Sequence, residues 1–175
     1  MGADVSVRAM GAGDLETVLA WRNHPNVSRY MLTNHEISLD EHRRWFERAS
    51  TDASRRLLIV EQCSRPLGFV HFNGLSASRV VDWGFYATPG APKGTGTVLG
   101  EAALDWAFTT LDLLKVCGQA LCGNGASIRL HLALGFRLEG TLRAQYPDHP
   151  VGPDLVCFGL LREEWSRRRT AGAEE

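Results

Sequence analysis

Apolar and polar residues alternate in Asp4-Val5-Ser6-Val7-Arg8, the period of a half-buried strand. The period then changes. Leu15, Val18, Leu19 and Arg22 fall at helical spacing, with acids in the first turn, and the helix is expected to stop near Asn23-His24-Pro25, because a residue before proline avoids the α region. Ser38-Leu39-Asp40-Glu41 matches a capping box and opens a second helix through His42, Trp45 and Phe46. Leu57-Leu58-Ile59-Val60 and the run from Leu67 to Phe72 flank the turn Ser64-Arg65-Pro66 and read as a hairpin; a third strand runs from Val80 to Tyr86.

From Thr88 to Gly96 the residues are all turn formers, and Leu99, Ala103, Trp106 and Ala107 then form the apolar stripe of a helix. A strand follows from Val116 to Leu121. Asn124 to Leu134 reads as a helix, although Ile128, Leu130, Leu132 and Leu134 also alternate like a strand. Two strands close the chain, one from Phe136 toward Tyr146 and one from Leu155 to Leu161, separated by the turn Pro147-Asp148-His149-Pro150. The order is β-α-α-β-β-β-α-β-α-β-β. Short turns imply antiparallel pairing, and the central strand-loop-helix-strand unit implies a parallel crossover. The expected fold class is α/β: one mixed, mostly antiparallel sheet with helices on both faces, in a single domain over residues 1–165, followed by a disordered tail from 166 to 175.

Composition narrows the function. The 175 residues are 44% apolar and 22% charged, with a net charge of −1, which gives no general attraction to nucleic acid or to a membrane. Arg167-Arg168-Arg169 is short and reads as a solvated helix end. No apolar run approaches the roughly 18 residues of a bilayer span, and Met1 to Met10 lacks a signal-peptide core, so a cytoplasmic protein is expected. Cys63, Cys117, Cys122 and Cys157 show neither metal-ligand spacing nor a C-x-x-C motif, and no metal is expected.

The segment richest in chemistry is the strand, glycine-rich turn and helix over residues 80–110. Gly94 and Gly96 permit close backbone approach, and the helix behind them offers unpaired amides and a positive dipole end, which suits a pyrophosphate. A plain loop-to-helix turn would have the same glycines. The third glycine of a dinucleotide-binding fingerprint and the Gly-Lys-Ser/Thr of a P-loop are both missing.

About one strand later comes Asn124-Gly125-Ala126-Ser127-Ile128-Arg129-Leu130-His131-Leu132-Ala133-Leu134-Gly135-Phe136. This resembles the N-x-x-S-x-x-L-Y/H-x-x-x-G-F pattern of GNAT acetyltransferases, downstream of their x-x-G-x-G pyrophosphate loop, and the resemblance covers nearly the whole chain. It implies an N-acetyltransferase that uses acetyl-CoA as cosubstrate. The implied contacts to acetyl-CoA are Phe85, Tyr86, Lys93, Gly94, Thr95, Gly96, Thr97, Asn124 and Ser127, with the amides of Gly94 to Thr97 on the pyrophosphate and Asn124 on the pantetheine arm. The chain departs from the pattern at Ala91, where many relatives carry Gln or Arg, and at His131, where many carry the Tyr that protonates the leaving thiolate. His131 is either that acid or a buried structural histidine. Asp82 is either the base that deprotonates the amine, acting through water, or an exposed solvating carboxylate.

The acceptor is suggested by the amino-terminal third. Trp21-Arg22-Asn23-His24-Pro25, then Val27 to Met31, His35 and Ser38 to Phe46 resemble the pseudaminic-acid pathway acetyltransferases, which act on the 4-amino group of a UDP-linked 4-amino-4,6-dideoxy sugar. Arg22, Arg29 and His42 could pair with phosphate oxygens, Tyr30 or Trp45 could stack on uracil, and Met31 could pack on it. Arg22, Tyr30, Met31 and His42 are therefore the candidate substrate-binding residues. Trp-Arg-Asn and Leu161-Arg162-Glu163-Glu164-Trp165 also occur in protein N-terminal acetyltransferases of the ribosomal-protein type. A protein or antibiotic acetyltransferase, and a non-catalytic acyl-CoA-binding module, remain as alternatives. Monomer and homodimer are both compatible with the sequence.

Overall fold

The structure is a computed structural model that describes residues 4–33, 35–75 and 78–171. Strand β1 (Val5–Ala9) leads through a 3-10 turn (Ala12–Asp14) into α1 (Leu15–Asn23). Asp14 fixes this junction, accepting two bonds from the Arg8 guanidinium, at 2.7 and 2.8 Å, and one from the Gly11 amide. The short α2 (Pro25–Ser28) starts on Pro25, where the missing N–H costs nothing, and the His24 ring accepts from the Asn26 amide. Helix α3 (Leu39–Thr51) begins where the capping box places it, with Ser38 Oγ accepting from the Glu41 amide.

Strands β2 (Arg55–Gln62) and β3 (Arg65–Asn73) form the expected hairpin. The turn falls one residue earlier than the sequence suggested, on Cys63 and Ser64, which both have positive φ as a type I′ turn requires; Pro66 sits inside the strand beside a bulge. Next come β4 (Val80–Ala87), α4 (Thr95–Thr110), β5 (Lys115–Leu121), α5 (Gly125–Ala133), β6 (Arg137–Leu142), β7 (Leu155–Leu161) and α6 (Arg162–Ala171). The ambiguous segment after Asn124 is a helix, because the Asn124 side chain caps it at the Ser127 amide. Strand β6 ends well short of Tyr146: the Ala144 amide donates to Asp154 Oδ1, and Ala144 turns the chain with positive φ.

The disordered tail expected from residue 166 is corrected through Ala171. Helix α6 docks on α4 through Trp165, which is buried, lies against Phe108 and donates from Nε1 to Asp105 Oδ1 at 2.8 Å; Arg169 adds an ion pair to Asp105. Residues 172–175 lie outside the described residues.

The seven strands follow the order β1-β2-β3-β4-β5-β7-β6, antiparallel except for β4 against β5. Side chains alternate between two cores. On one face Leu58, Val60, Val70, Phe72, Val81 and Trp83 pack with α4, α5 and α6; on the other Leu57, Ile59, Phe69 and Tyr86 pack with α1 and α3. Helices cover both faces, as the element order implied.

The parallel pair positions the site. Strands β4 and β5 are paired to each other only at Val80–Lys115, Val81–Val116 and Asp82–Cys117; beyond these, β4 stays paired to β3 and β5 to β7 but not to each other. A wedge of side chains holds them apart. His131 of α5 stacks on Phe158 at 4.8 Å, and the Trp83 indole N–H donates to His131 Nε2 at 3.1 Å. A Cβ at position 118 would fall 2.3 Å from His131 Nε2 and 2.9 Å from Trp83 Nε1, so β5 has glycine there. Gly118→Ala is expected to overpack this wedge and destabilise the fold by about 1–3 kcal/mol, read as a lower urea midpoint. An unchanged midpoint would mean that the wedge yields freely.

Candidate active site

The gap between β4 and β5 opens into a cleft of about 340 Å³. Its walls are the end of β4 from Phe85 to Ala87, the loop from Thr88 to Pro92, the first turns of α4 and α5, and Tyr30 and Met31 after α2. The loop turns into α4 at Gly94, whose φ of +92° suits glycine. Among the described residues, the amides of Lys93, Gly94 and Gly96 have no backbone acceptor, whereas Thr95 donates to Pro92 O and Thr97 to Gly94 O. The free donors are therefore Lys93, Gly94 and Gly96, not the whole run Gly94 to Thr97. Three unspent amides at the N-terminus of a 16-residue helix fit a pyrophosphate. Asn124 spends Oδ1 on its cap to Ser127, which leaves its amide N–H₂ for a ligand in the same cleft. Lys93, Gly94 and Thr97 stand outside the cleft walls, while Phe85, Tyr86, Thr95, Gly96, Asn124 and Ser127 line it.

A second cavity of about 350 Å³ lies between α1, α3 and the sheet. Arg22, Glu41, His42, Trp45, Arg48, Phe69 and His71 line it, and Met31 and Tyr86 line both cavities. Two nitrogens here are buried without a hydrogen-bond partner among the described residues, Arg22 Nη1 and His42 Nε2. Burial lowers the pKa of Arg22, opposed by the nearby Tyr86 and Glu41. Burial and the Arg22 charge lower that of His42, so its ring is held neutral. An unsatisfied buried donor costs about 1–3 kcal/mol, and a ligand that accepts from it recovers that cost.

The surroundings of four residues nominated from sequence bear on their candidate roles. Tyr30 lines the first cleft rather than the second cavity, with Arg29 stacked on its ring at 4.6 Å. Trp45 lines the second cavity, but His42 stacks on it at 5.0 Å. Asp82 does share a face with Gly84 and Tyr86, yet it is exposed, lies opposite Asn73 and Cys117, and lines neither cavity. His131 is only 1% exposed, and both nitrogens are engaged: Nδ1–H donates to Ser127 O at 2.8 Å and Nε2 accepts from Trp83. It has no N–H left for a thiolate, and burial lowers its pKa. The geometry makes it the wedge of the sheet instead of an acid.

Sequence reading missed the latch over the site. His149 in the β6–β7 loop donates from Nε2 to Met31 O at 3.0 Å while its Nδ1 accepts from the Val151 amide. The partners are 118 residues apart, so no local pattern could reveal them. It also missed His71, whose place in the second cavity depends on which face of β3 the helices cover.

The comparisons with known proteins agree with this architecture. Residues 4–137 match the model described as the acetyltransferase (GNAT) domain. The chain belongs to the GNAT acetyltransferase family. It is an acetyl-CoA-dependent N-acetyltransferase. Among curated relatives, the acetyltransferase PseH of Campylobacter jejuni is 25% identical over 70% of this chain and 76% of its own length. Spermidine N(1)-acetyltransferase of Vibrio cholerae is 26% identical over 96% of this chain and 99% of its own. The crystal structure of the Vibrio cholerae spermidine N-acetyltransferase with CoA and spermine superposes with a TM-score of 0.81 at 24% identity, covering 93% of this chain and 98% of that one. That likeness carries the fold. No described helix is long and apolar enough to cross a membrane, and no group of potential metal ligands occurs among the described residues.

Two outcomes follow. A Cβ at Gly96 would meet only the tip of Leu130, at 3.1 Å, so Gly96→Asp should fold while setting a carboxylate against the pyrophosphate. Calorimetry is expected to show acetyl-CoA affinity at least about tenfold weaker, a loss of roughly 1.4 kcal/mol; unchanged affinity would move the pyrophosphate elsewhere. His131→Phe should leave the Trp83 N–H unpaired and cost about 1–3 kcal/mol of stability, with turnover per folded molecule retained. Because the folded-state pKa of His131 lies below its ordinary 6.5, the stability it contributes is complete above that pH and declines as pH falls through it. Urea melts at pH 7.5 and 5 should therefore show a smaller acid loss in the variant than in the wild type. Retained stability with lost turnover would restore the acid role.

Proposed function

We propose that the chain transfers acetyl from acetyl-CoA to the 4-amino group of a UDP-linked 4-amino-4,6-dideoxy sugar by direct attack of the amine on the thioester. The observation that carries this reading is the charge of the second cavity. Arg22 and Arg48 line it against one acid, Glu41, which is already bonded to His35 at 3.1 Å. A polyamine has several ammonium groups and calls for carboxylates, whereas a diphosphate calls for guanidinium and other N–H donors. Arg22 Nη1 is a buried donor awaiting an acceptor, and His42 Nε2 beside it can take either role. The amino-terminal resemblance to the pseudaminic-acid pathway enzymes and the match to PseH support the same choice.

The two cavities meet at Met31 and Tyr86, so an amine held in the second reaches a thioester held in the first. When bound, acetyl-CoA supplies the activated acetyl group. The residues of the chain hold its pyrophosphate on the Gly94 and Gly96 amides, hold the acceptor diphosphate on Arg22, and exclude water around Tyr86, whose hydroxyl pKa is raised by burial.

Assayed by mass spectrometry with acetyl-CoA, the UDP-4-amino sugar is expected to be acetylated far faster than spermidine or a peptide with a free N-terminus. Arg22→Ala should raise the KM for the sugar nucleotide about 10-fold or more, as expected for loss of a charged hydrogen bond of about 1.5–3 kcal/mol, and leave acetyl-CoA affinity unchanged. Acetylation of spermidine or peptide with the sugar nucleotide untouched would overturn the reading.

A further inference from the structure

The second cavity contains an imidazole that neither sequence motif touches. His71 lies across from Gly84 in the β3–β4 pairing, two residue pairs along from Phe69 and Tyr86 and on the same face. Its ring reaches over β4 so closely that a Cβ at position 84 would fall 2.2 Å from Nε2. Glycine at 84 thus makes room for the ring on the face shared by Asp82 and Tyr86. Tyr86 belongs to both cavities, so His71 borders the place where amine and thioester meet. The Asn73 side chain holds the other ring nitrogen, Nδ2 to Nδ1, at 3.0 Å.

We propose that His71 receives the proton of the acceptor amine, a role that rests on reading this cavity as the acceptor site. The amine nitrogen bonds to the acetyl carbon, the carbon–sulfur bond breaks, and its electron pair leaves on the CoA sulfur. The proton on nitrogen passes to His71 Nε2 and then to solvent, and solvent protonates the thiolate. With Asn73 donating to Nδ1, the ring proton sits on Nε2. Turning the Asn73 amide over brings its Oδ1 to Nδ1–H, frees the Nε2 lone pair, and holds the imidazolium once it forms.

Asp82, the carboxylate that the sequence suggested for this task, faces Asn73 across the strand pair and stands two positions beyond the ring, away from Tyr86. The charged and titratable groups around His71 are Arg22 from α1, Glu41, His42 and Arg48 from α3, Arg55 from β2, and Asp82 and Tyr86 from β4. Burial and the Arg55 charge push its pKa down to about 4, so the ring is neutral above that pH and passes a captured proton on readily.

The test uses the full chain, with the UDP-4-amino sugar and spermidine as separate acceptors. His71→Gln should lower kcat about 100-fold or more, the scale of lost proton transfer, while acetyl-CoA affinity stays unchanged. The loss should shrink as pH rises and the amine deprotonates on its own. His71→Ala should regain turnover in proportion to added imidazole. Retained turnover in His71→Gln would overturn the proposal. So would lost turnover with a wild-type pH profile and no response to imidazole, which marks a purely structural side chain. If the wild type acetylates spermidine and not the sugar nucleotide, the substrate reading falls, and the same losses are expected for His71 with spermidine.

Discussion

Strands β4 and β5 share three paired positions and then part, and nearly every functional feature of the chain follows from that separation. Parallel strands left to themselves would continue to pair. Here the Trp83–His131 hydrogen bond and the stack of His131 on Phe158 occupy the space on the face of the sheet covered by α4 and α5, and Gly118 gives them room. Backbone groups released by the separation stay unpaired at the mouth of a cleft. Polar backbone at such a place needs water or a ligand, and the end of β4 and the first turns of α4 and α5 line the same cleft.

The wedge and the second cavity are on opposite faces of β4. Val81 and Trp83 build the core with α4 and α5, while Gly84 and Tyr86 face α1 and α3. One strand therefore fixes the cleft with one set of side chains and borders the second cavity with the next. The second cavity is walled by the sheet on one side and on the other includes Met31, in a connecting segment bonded to His149 from the distant β6–β7 loop. Loops of this kind are where related enzymes on a shared scaffold can differ in substrate. PseH and a spermidine N(1)-acetyltransferase are similar to this chain at nearly equal identity, so overall likeness alone does not choose an acceptor.

Local patterns made most of the fold legible. Alternation from Val80 to Tyr86 marked β4, Ser38 and Glu41 marked the start of α3, and Asn124 marked that of α5, because strand period and helix caps are short-range chemistry. Helix α6 escaped because its sequence is rich in Arg and Glu without an apolar stripe; a single anchor, Trp165, docks it. The site was legible where it consists of backbone, at Gly94 and Gly96, and less so where side chains from separate elements meet. Alternation set Asp82 on the correct face but could not show that the cavity opens at the other end of the strand. His131 stands at a position suggestive of an acid, and only the arrangement of Trp83, Gly118 and the Ser127 carbonyl shows its nitrogens engaged. His71 reads as one polar residue in an apolar run until α1 and α3 close over its face of the sheet.

The central claim is that a cosubstrate cleft and a basic acceptor cavity adjoin at Met31 and Tyr86. A crystal structure of the chain grown with CoA and UDP tests it most directly. The account predicts CoA between β4 and β5 with its pyrophosphate at the Gly94 and Gly96 amides, and UDP in the second cavity with a phosphate oxygen on Arg22. A UDP diphosphate bound away from Arg22, or a second cavity that takes up spermidine and leaves UDP in solution, would contradict it.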